Sequence, residues 1–364
     1  MRTSLYDTLV ELSSRLADVD LLDEVGHDCI DDANALLERI RPTLNSVRGL
    51  ELQKCSVPIR YEPDFFSSHT SDFQNLNKLA SAFRFAAHVD FFRGYYEAGA
   101  QNGICILDLA NAFRRGGIVV DQLVSVAVSG YGVACLRSVR ERFPDAVRCD
   151  LIGKLQRYEL ERESLCTLKE RDAKWLATSG YEEDGGKLSE DELIDRDSEL
   201  SVAEQRAMIQ MVNEFGNRPE SEMQVIQDGQ DRRALASTRL LVVDLAIRCW
   251  EHANGRYPSS LNDLVPAILV DVPRDPFTDE DFIYVPSNDS FLLYSTGPDK
   301  RDTGGNFGSW LAVSNGGYDL CLDSEEYWPE CGINHRRPSR LRRLWKCLWS
   351  GWRDKRFAAD LTDS

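Results

Sequence analysis

The turn-forming residues from Gly255 onwards follow an order that restricts how this part of the chain can fold. Gly255 accepts the left-handed backbone conformation that stops a helix, and Pro258 cannot continue one. Ser260 then stands where a short helix from Leu261 to Val265 needs an N-cap. The order therefore predicts a helix, a tight turn and a second, short helix.

The next residues carry the pattern of a β-hairpin. Asp275 precedes Pro276, and its carboxylate can accept hydrogen bonds from the backbone amides of a turn. Two runs rich in aromatic and branched residues follow, from Phe282 to Val285 and from Phe291 to Tyr294. The five residues between these runs are typical of a loop, so we predict two antiparallel strands.

The helix before this hairpin is predicted from about Asp231 to Asn254. Asp244, Arg248 and Glu251 form a narrow polar stripe on it. Apolar residues cover a wider arc: Leu240, Val242, Val243, Leu245, Ile247 and Trp250. So wide an arc predicts burial on two sides, between the small sheet and neighbouring helices.

This series of elements resembles the C-terminal globular head of the major pseudopilin of type II bacterial secretion. The resemblance covers residues 231–322, about a quarter of the chain, and is carried by G-x-Y-P, D-P-F, S-x-G-P-D and a trailing Gly-Gly. It implies a head that assembles into a filament. It also implies that calcium binds the Gly/Asp loop after the last strand.

Residue by residue, the resemblance makes Asp299, Asp302 and Asp319 the calcium ligands. Calcium takes six to eight oxygen ligands, so backbone carbonyls would have to complete the set. The chain departs from the family at Lys300, at an insertion over residues 306–317, and at its start, which carries no basic leader and apolar helix. The alternative is an Asx-rich surface loop without a metal.

The first two hundred residues are helical by periodicity. Apolar residues repeat at helical spacing in three places: Leu9, Leu12, Leu16 and Val19; Leu76, Leu79, Phe83 and Ala86; Leu107, Ala110 and Phe113. Helices are predicted near 3–18, 28–47, 72–98, 103–114, 119–142 and 146–176.

The stretch from Val119 to Val139 is apolar but interrupted by polar residues, which predicts a buried helix and not a membrane span. Residues 55–143 also resemble uncharacterised bacterial helical proteins, chiefly from planctomycetes, and this likeness implies no activity.

The predicted fold class is mostly α, with a helical bundle or superhelix followed by a small α+β head. The predicted divisions are a helical domain at 1–177, an acidic linker and helix at 178–230, the head at 231–335 and a basic tail at 336–364.

The tail differs in charge from the rest of the chain. It holds nine Lys/Arg and three Asp, a net charge of +6. Since the whole chain has a net charge of −17, the preceding residues carry −23. One face of a predicted helix carries Leu341, Leu344, Trp345, Leu348, Trp349 and Trp352. We predict that residues 336–356 contact a protein partner or an anionic membrane surface; the alternative is docking on the chain's own acidic body. The acidic body indicates no nucleic-acid partner.

The ten cysteines include no C-x-x-C pair. Cys105, Cys135, Cys166 and Cys249 are predicted to be buried thiols, and Cys321 and Cys331 could form a bridge in an exported protein. The absence of a signal peptide at Met1 predicts a cytoplasmic protein, peripheral to the membrane through its tail. An upstream start would add a membrane anchor.

The five histidines form no metal-binding motif, and no nucleophile elbow or phosphate-binding glycine loop occurs. Glu161 and Glu163 could act as an acid/base pair only if folding brings them together. The favoured hypothesis is therefore a non-enzymatic interaction or assembly protein. The alternative is an enzyme whose site lies in a groove between the helical domain and the head.

Overall fold

The computed structural model describes residues 4–22, 25–27, 29–180, 220–307 and 318–323. These residues are mostly helical, with a two-stranded antiparallel sheet near the C-terminal end. The helices are α1 (Leu5–Ser14), α2 (Ile30–Arg48), α3 (Phe65–Phe92), α4 (Tyr96–Arg114), α5 (Val119–Arg137), α6 (Asp145–Leu160), α7 (Leu165–Thr178) and α8 (Glu220–Asn254). The predicted fold class, packed helices followed by a small α+β head, is confirmed.

Several predicted helix boundaries are wrong; the helix predicted from 72, for example, begins at Phe65, and the one predicted to 142 ends at Arg137. Two of the errors arise because the chain carries stop signals that apolar periodicity does not reveal. The single helix predicted at 146–176 is interrupted, since the Ser164 side chain accepts a hydrogen bond from the Thr167 amide and begins α7 there. The break predicted between 98 and 103 lies earlier, at Gly94, where φ is +79°. Glycine adopts this conformation without steric cost, so α3 ends and α4 begins around it.

Helices α4 and α5 approach closely through glycines. A Cβ atom at Gly103 would lie 2.7 Å from Leu136 of α5, and one at Gly132 would lie 2.8 Å from Leu107 of α4. Both distances are shorter than side chains tolerate. The two helices can therefore pack this closely only because neither glycine carries a side chain, and α4 is buried along most of its length.

Within the described residues, α5 is the one helix that is long and apolar enough to cross a membrane. About two thirds of its most apolar window is buried by the protein itself, mainly against α3 and α4. The buried core helix of a soluble protein meets the same criteria of length and composition. The prediction of a buried helix here is confirmed.

The head follows α8 in the predicted order. Gly255, at φ +65°, ends α8, and a 3-10 turn at Leu261–Leu264 follows, with the Asp263 carboxylate accepting hydrogen bonds from the Ser259 and Ser260 amides. Strand β1 (Ile283–Pro286) pairs antiparallel with β2 (Phe291–Tyr294). The predicted hairpin is confirmed.

Helix α8 is buried on opposite sides. Eight consecutive residues of its middle turns, 240–247, are buried. Consecutive residues of a helix project to all sides of its axis, so this part of α8 is covered all round. On the head side, Ala236 packs with Phe277 and Leu320. Met1–Ser179 and Asp228–Pro329 accordingly form one compact unit. The predicted burial of α8 on two sides is confirmed.

Candidate functional site

The loop after β2 is closed by a buried carboxylate. Asp319 is fully buried, and its Oδ2 accepts hydrogen bonds from the Thr303 amide (3.2 Å), the Thr303 hydroxyl (2.8 Å) and the Gly305 amide (2.8 Å). Gly304 and Gly305 have positive φ angles, which lets successive amides of the loop converge on one acceptor. The hydrogen bonds that Asp319 accepts offset the free-energy cost of burying its carboxylate, and they hold the loop in place.

The two other predicted ligands also belong to this loop. Asp302 Oδ1 accepts hydrogen bonds from the Tyr294 hydroxyl and the Gly304 amide, both at 2.8 Å. Burial and the Asp302 carboxylate together raise the pKa of Tyr294, so the phenol keeps its proton. Asp299 Oδ1 accepts from the Arg301 amide at 3.2 Å, within its own turn.

Oxygens of all three carboxylates already accept hydrogen bonds within the protein. In the described parts of the chain, no three His, Cys, Asp or Glu side chains are grouped as metal ligands. The Asp319 carboxylate already accepts from Thr303 and Gly305, which leaves little capacity for a cation. The loop geometry therefore fits a self-closing loop better than a three-carboxylate cage. Calcium binding stays a prediction of the resemblance.

A second charged cluster joins α8 to the helical part. Asp231 receives two hydrogen bonds from Arg114 (2.8 and 3.3 Å) and two from Arg162 (3.0 and 2.5 Å). Gln122 of α5 adds a contact of 3.3 Å. The Arg114 side chain is completely buried, and its Nε also donates to the Glu163 carbonyl. One carboxylate thus links four segments of the chain; we call this cluster the Asp231 network.

The electrostatics of the Asp231 network favour the ionised carboxylate. Burial raises the pKa of Asp231, but the guanidinium groups of Arg162 and Arg114 outweigh burial and hold the pKa below its ordinary value. Both arginines need this carboxylate, because an unpaired buried charge is costly. The cluster is closed by protein donors, so its arrangement is suited to anchoring and not to turnover.

Glu161 and Glu163 do not form the acid/base pair considered from sequence. The Glu163 carboxylate binds Arg171 (2.5 and 3.2 Å) and the Gly116 amide (2.9 Å), which ties the start of α7 to the turn before α5. Glu161 instead lies exposed at the rim of a cavity. The two side chains have different partners and separate roles.

That cavity, of about 250 Å³, lies beside α4 and the end of α6. Its lining is polar: Leu52, Gln53, Asp108, Asn111, Arg115, Arg157 and Glu161. Burial raises the pKa of Asp108 to about 6, with Arg157 acting in the opposite direction. The volume falls below the ~300–1,000 Å³ of typical ligand pockets.

A buried hydrogen-bond chain runs through Tyr6, His69 and Asp121. The Tyr6 hydroxyl lies 3.2 Å from His69 Nδ1, and His69 Nε2 lies 2.7 Å from Asp121 Oδ1. All three residues are almost fully buried, so no substrate can reach them. These hydrogen bonds connect α1, α3 and α5. Burial raises the pKa of Tyr6, so the phenol stays protonated.

Several predictions fall on parts of the chain outside the described residues. These are the basic tail at 336–364, the acidic centre of the linker and Cys331 of the proposed pair with Cys321. Among the four thiols predicted to be buried, Cys105, Cys135 and Cys249 are buried, but Cys166 is exposed on α7. The burial of Cys166 was wrong because α7 is covered on one face only.

Sequence reasoning missed the Asp231 network. The available signal was Arg114, which follows the apolar positions Leu107, Ala110 and Phe113 of the predicted helix, where a buried charge needs a partner. Apolar periodicity could not identify Asp231 as that partner, since periodicity describes one helix at a time and 117 positions separate the two residues. Comparison of this chain with protein-family models, with curated proteins and with solved structures finds no match.

Proposed function

We propose that this chain is a non-enzymatic interaction or assembly protein, in which the helical part carries a head resembling that of the type II secretion major pseudopilin. The order of α8, the 3-10 turn, the hairpin and the Gly/Asp loop supports this proposal. The function is to present the head and its loop to a partner.

The observation that carries the proposal is the way α8 is anchored. Its middle turns are buried from both sides, and Asp231 ties its first half to α4, α5 and the start of α7. Arg137 and Arg140, at the end of α5, bind the last described residues of the head, through the Leu322 carbonyl and the Asp323 carboxylate. A head held this firmly suits a protein that acts by docking, because little ordering entropy remains to be lost on binding.

The partner is engaged by residues 336–356 of the basic tail. A net charge of +6 over residues 336–364 beside an acidic body, together with three tryptophans on one predicted face, suits an anionic membrane surface or an acidic protein. Each Lys or Arg near an anionic bilayer contributes about 1 kcal/mol of attraction. This assignment makes the protein peripheral to the membrane.

The proposal is tested by sedimentation with lipid vesicles. We expect the full chain to bind vesicles that contain phosphatidylserine, and to lose at least about 100-fold in affinity when residues 336–364 are deleted, since the deletion removes nine basic residues. Raising the salt concentration weakens binding that depends on charge.

Two controls separate the contributions of charge and of the apolar face. Zwitterionic vesicles keep the bilayer and remove its charge, and a Trp345→Ser, Trp349→Ser variant keeps the charge of the tail and removes part of its apolar face. Undiminished binding after the deletion would show that the tail is not the contact. Failure of the full chain to bind anionic vesicles would exclude the membrane and leave an acidic protein as the partner.

The alternative, an enzyme with a site between the helical part and the head, has weaker support. The polar cavity at Asp108 and Glu161 lies against α4 and α6, and its lining includes neither a residue of the head nor a histidine. Its two carboxylates do lie in different environments, as an acid/base pair requires. The cavity is small, and Glu161 is exposed at its rim, so docking remains the better-supported function.

A further inference from the structure

Two thiols from distant parts of the chain meet between α6 and α8. Cys149 Sγ lies 3.9 Å from Cys249 Sγ, although 100 positions separate the two residues. Cys149 is exposed, whereas Cys249 is buried. One sulfur is therefore open to a reagent in solution, and the other is in position to react with it next.

Two side-chain contacts near the cysteines link α8 to α6 and to the turn that precedes α6. His252, three residues after Cys249, contacts Asp145, four residues before Cys149. Arg248 binds Glu141 Oε1 at 3.2 Å and, on its own helix, Asp244 Oδ1 at 2.7 Å. The two sulfurs thus face each other across an interface that other side chains already define.

We propose that Cys149 and Cys249 are a dithiol site that is oxidised to an intramolecular disulfide by a small-molecule disulfide. The bond length in a disulfide is about 2.0 Å, so rotation of the two side chains must close the remaining gap. The site is a covalent modification site, and it is independent of the proposed docking function.

The reaction proceeds by two exchange steps. The Cys149 thiolate attacks the small disulfide, forms a mixed disulfide and releases one small thiolate. The Cys249 thiolate then attacks Cys149 Sγ, forms the protein disulfide and releases the second thiolate. The two protein thiols lose two protons and two electrons, and the small disulfide is reduced to two thiols.

The order of the steps follows from the environment of each sulfur. Burial, and then the charge of the Cys149 thiolate, raise the pKa of Cys249 to about 12. The mixed disulfide at Cys149 carries no charge on its sulfur, so the first step removes one of the causes that hold Cys249 protonated. The exposed thiol therefore reacts first, and the buried thiol completes the bond.

The bond joins α6 to α8, close to the end of α8 from which the head continues. It closes a loop of about one hundred residues, which restricts the unfolded chain more than the folded one. Oxidation is therefore expected to stabilise the compact unit without moving its helices far.

The test uses the full, reduced chain incubated at pH 8 with oxidised and reduced glutathione in varied ratio. After alkylation of the remaining thiols, mass spectrometry of the digested protein measures which cysteines are joined. We expect a cross-linked pair of peptides containing Cys149 and Cys249, which a dithiol reductant separates again. We also expect the melting temperature of the oxidised chain to rise by at least about 3 °C.

Matched variants show whether the geometry is responsible. In Cys249→Ala, we expect Cys149 to stop at the mixed disulfide with glutathione, and in Cys149→Ser we expect no bond at Cys249. Cys166→Ser removes another exposed helical thiol and should leave the cross-link unchanged. The proposal is overturned if wild-type Cys149 is found only as a mixed disulfide, or bonded to a cysteine other than Cys249, at every glutathione ratio.

Discussion

At the scale of single residues, Asp231 joins α8 to α4, to α5 and to the connection between α6 and α7. It is the only side-chain carboxylate within ion-pair distance of Arg114 and Arg162 in the described parts of the chain. Breaking a buried pair by removing one partner leaves the other charge without compensation. The stability of the compact unit therefore depends on this carboxylate being present and ionised.

We expect Asp231→Asn to lower the free energy of unfolding at pH 7 by about 3–5 kcal/mol, because two buried guanidinium groups lose their counter-charge. The folded-state pKa of Asp231 is lowered, so the stability it contributes is present above the unfolded pKa and is lost as the pH falls through the folded pKa. The difference between wild type and variant should consequently shrink below about pH 4. Urea denaturation at a series of pH values measures it.

Asp228→Asn is the matched control on the same helix. Asp228 pairs with Lys169 at 2.7 Å, but both side chains are partly exposed. Exposed pairs contribute about 0–1 kcal/mol, so this variant should cost less than about 1 kcal/mol. Equal effects of the two substitutions would show that the buried network has no special role.

At the scale of elements, the loop after β2 has the predicted turn residues, and calcium binding by this loop stays a prediction. Asp319 closes it through hydrogen bonds from Thr303 and Gly305, whereas the resemblance to pseudopilin heads implies that calcium stabilises it. These two accounts differ in what calcium does to the folded protein.

The resemblance predicts that millimolar calcium raises the melting temperature of the full chain, since an ion that binds only the folded loop stabilises it by mass action. An Asp299→Ala, Asp302→Ala variant should lose this rise. An Asp281→Ala, Asp289→Ala variant changes two exposed carboxylates of the head outside the loop and should keep it. A wild-type melting temperature that calcium leaves unchanged would contradict the calcium site and support closure by Asp319 alone.

At the scale of the whole compact unit, the helical part and the head share α8. Leu241 is completely buried in the middle of α8. A shared helix couples the stability of the two parts, because neither can keep its core when α8 is lost.

We expect Leu241→Ala to destabilise the unit by about 2–5 kcal/mol through the cavity it leaves. Hydrogen exchange should show the same loss of protection in α4 as in β2. Val270→Ala, at a residue that is 89% exposed in the head, should change neither. Loss of protection in the head alone, with α4 unchanged, would show that the two parts unfold separately.

Much of the fold was predictable because its signals are local. Gly255 and Asp263 act within a few residues of their positions, and apolar spacing marked most helices. Where two signals competed, periodicity misled: the apolar repeat continues past the cap at Ser164, so two helices were predicted as one. The candidate site was only partly predictable, because Asp319 belongs to the right loop but its burial and its partners depend on how the chain returns to it.

The sequence by itself determined the helical class, the hairpin, the turn residues of the loop and the opposite charges of body and tail, since these depend on composition and on neighbours along the chain. Only the tertiary structure decided which polar residues meet. Asp231 and Arg114 are 117 positions apart, and Cys149 and Cys249 are 100 apart. Contacts over such separations follow from how helices pack, and helix periodicity shows which face of a helix is buried but not which helix covers it.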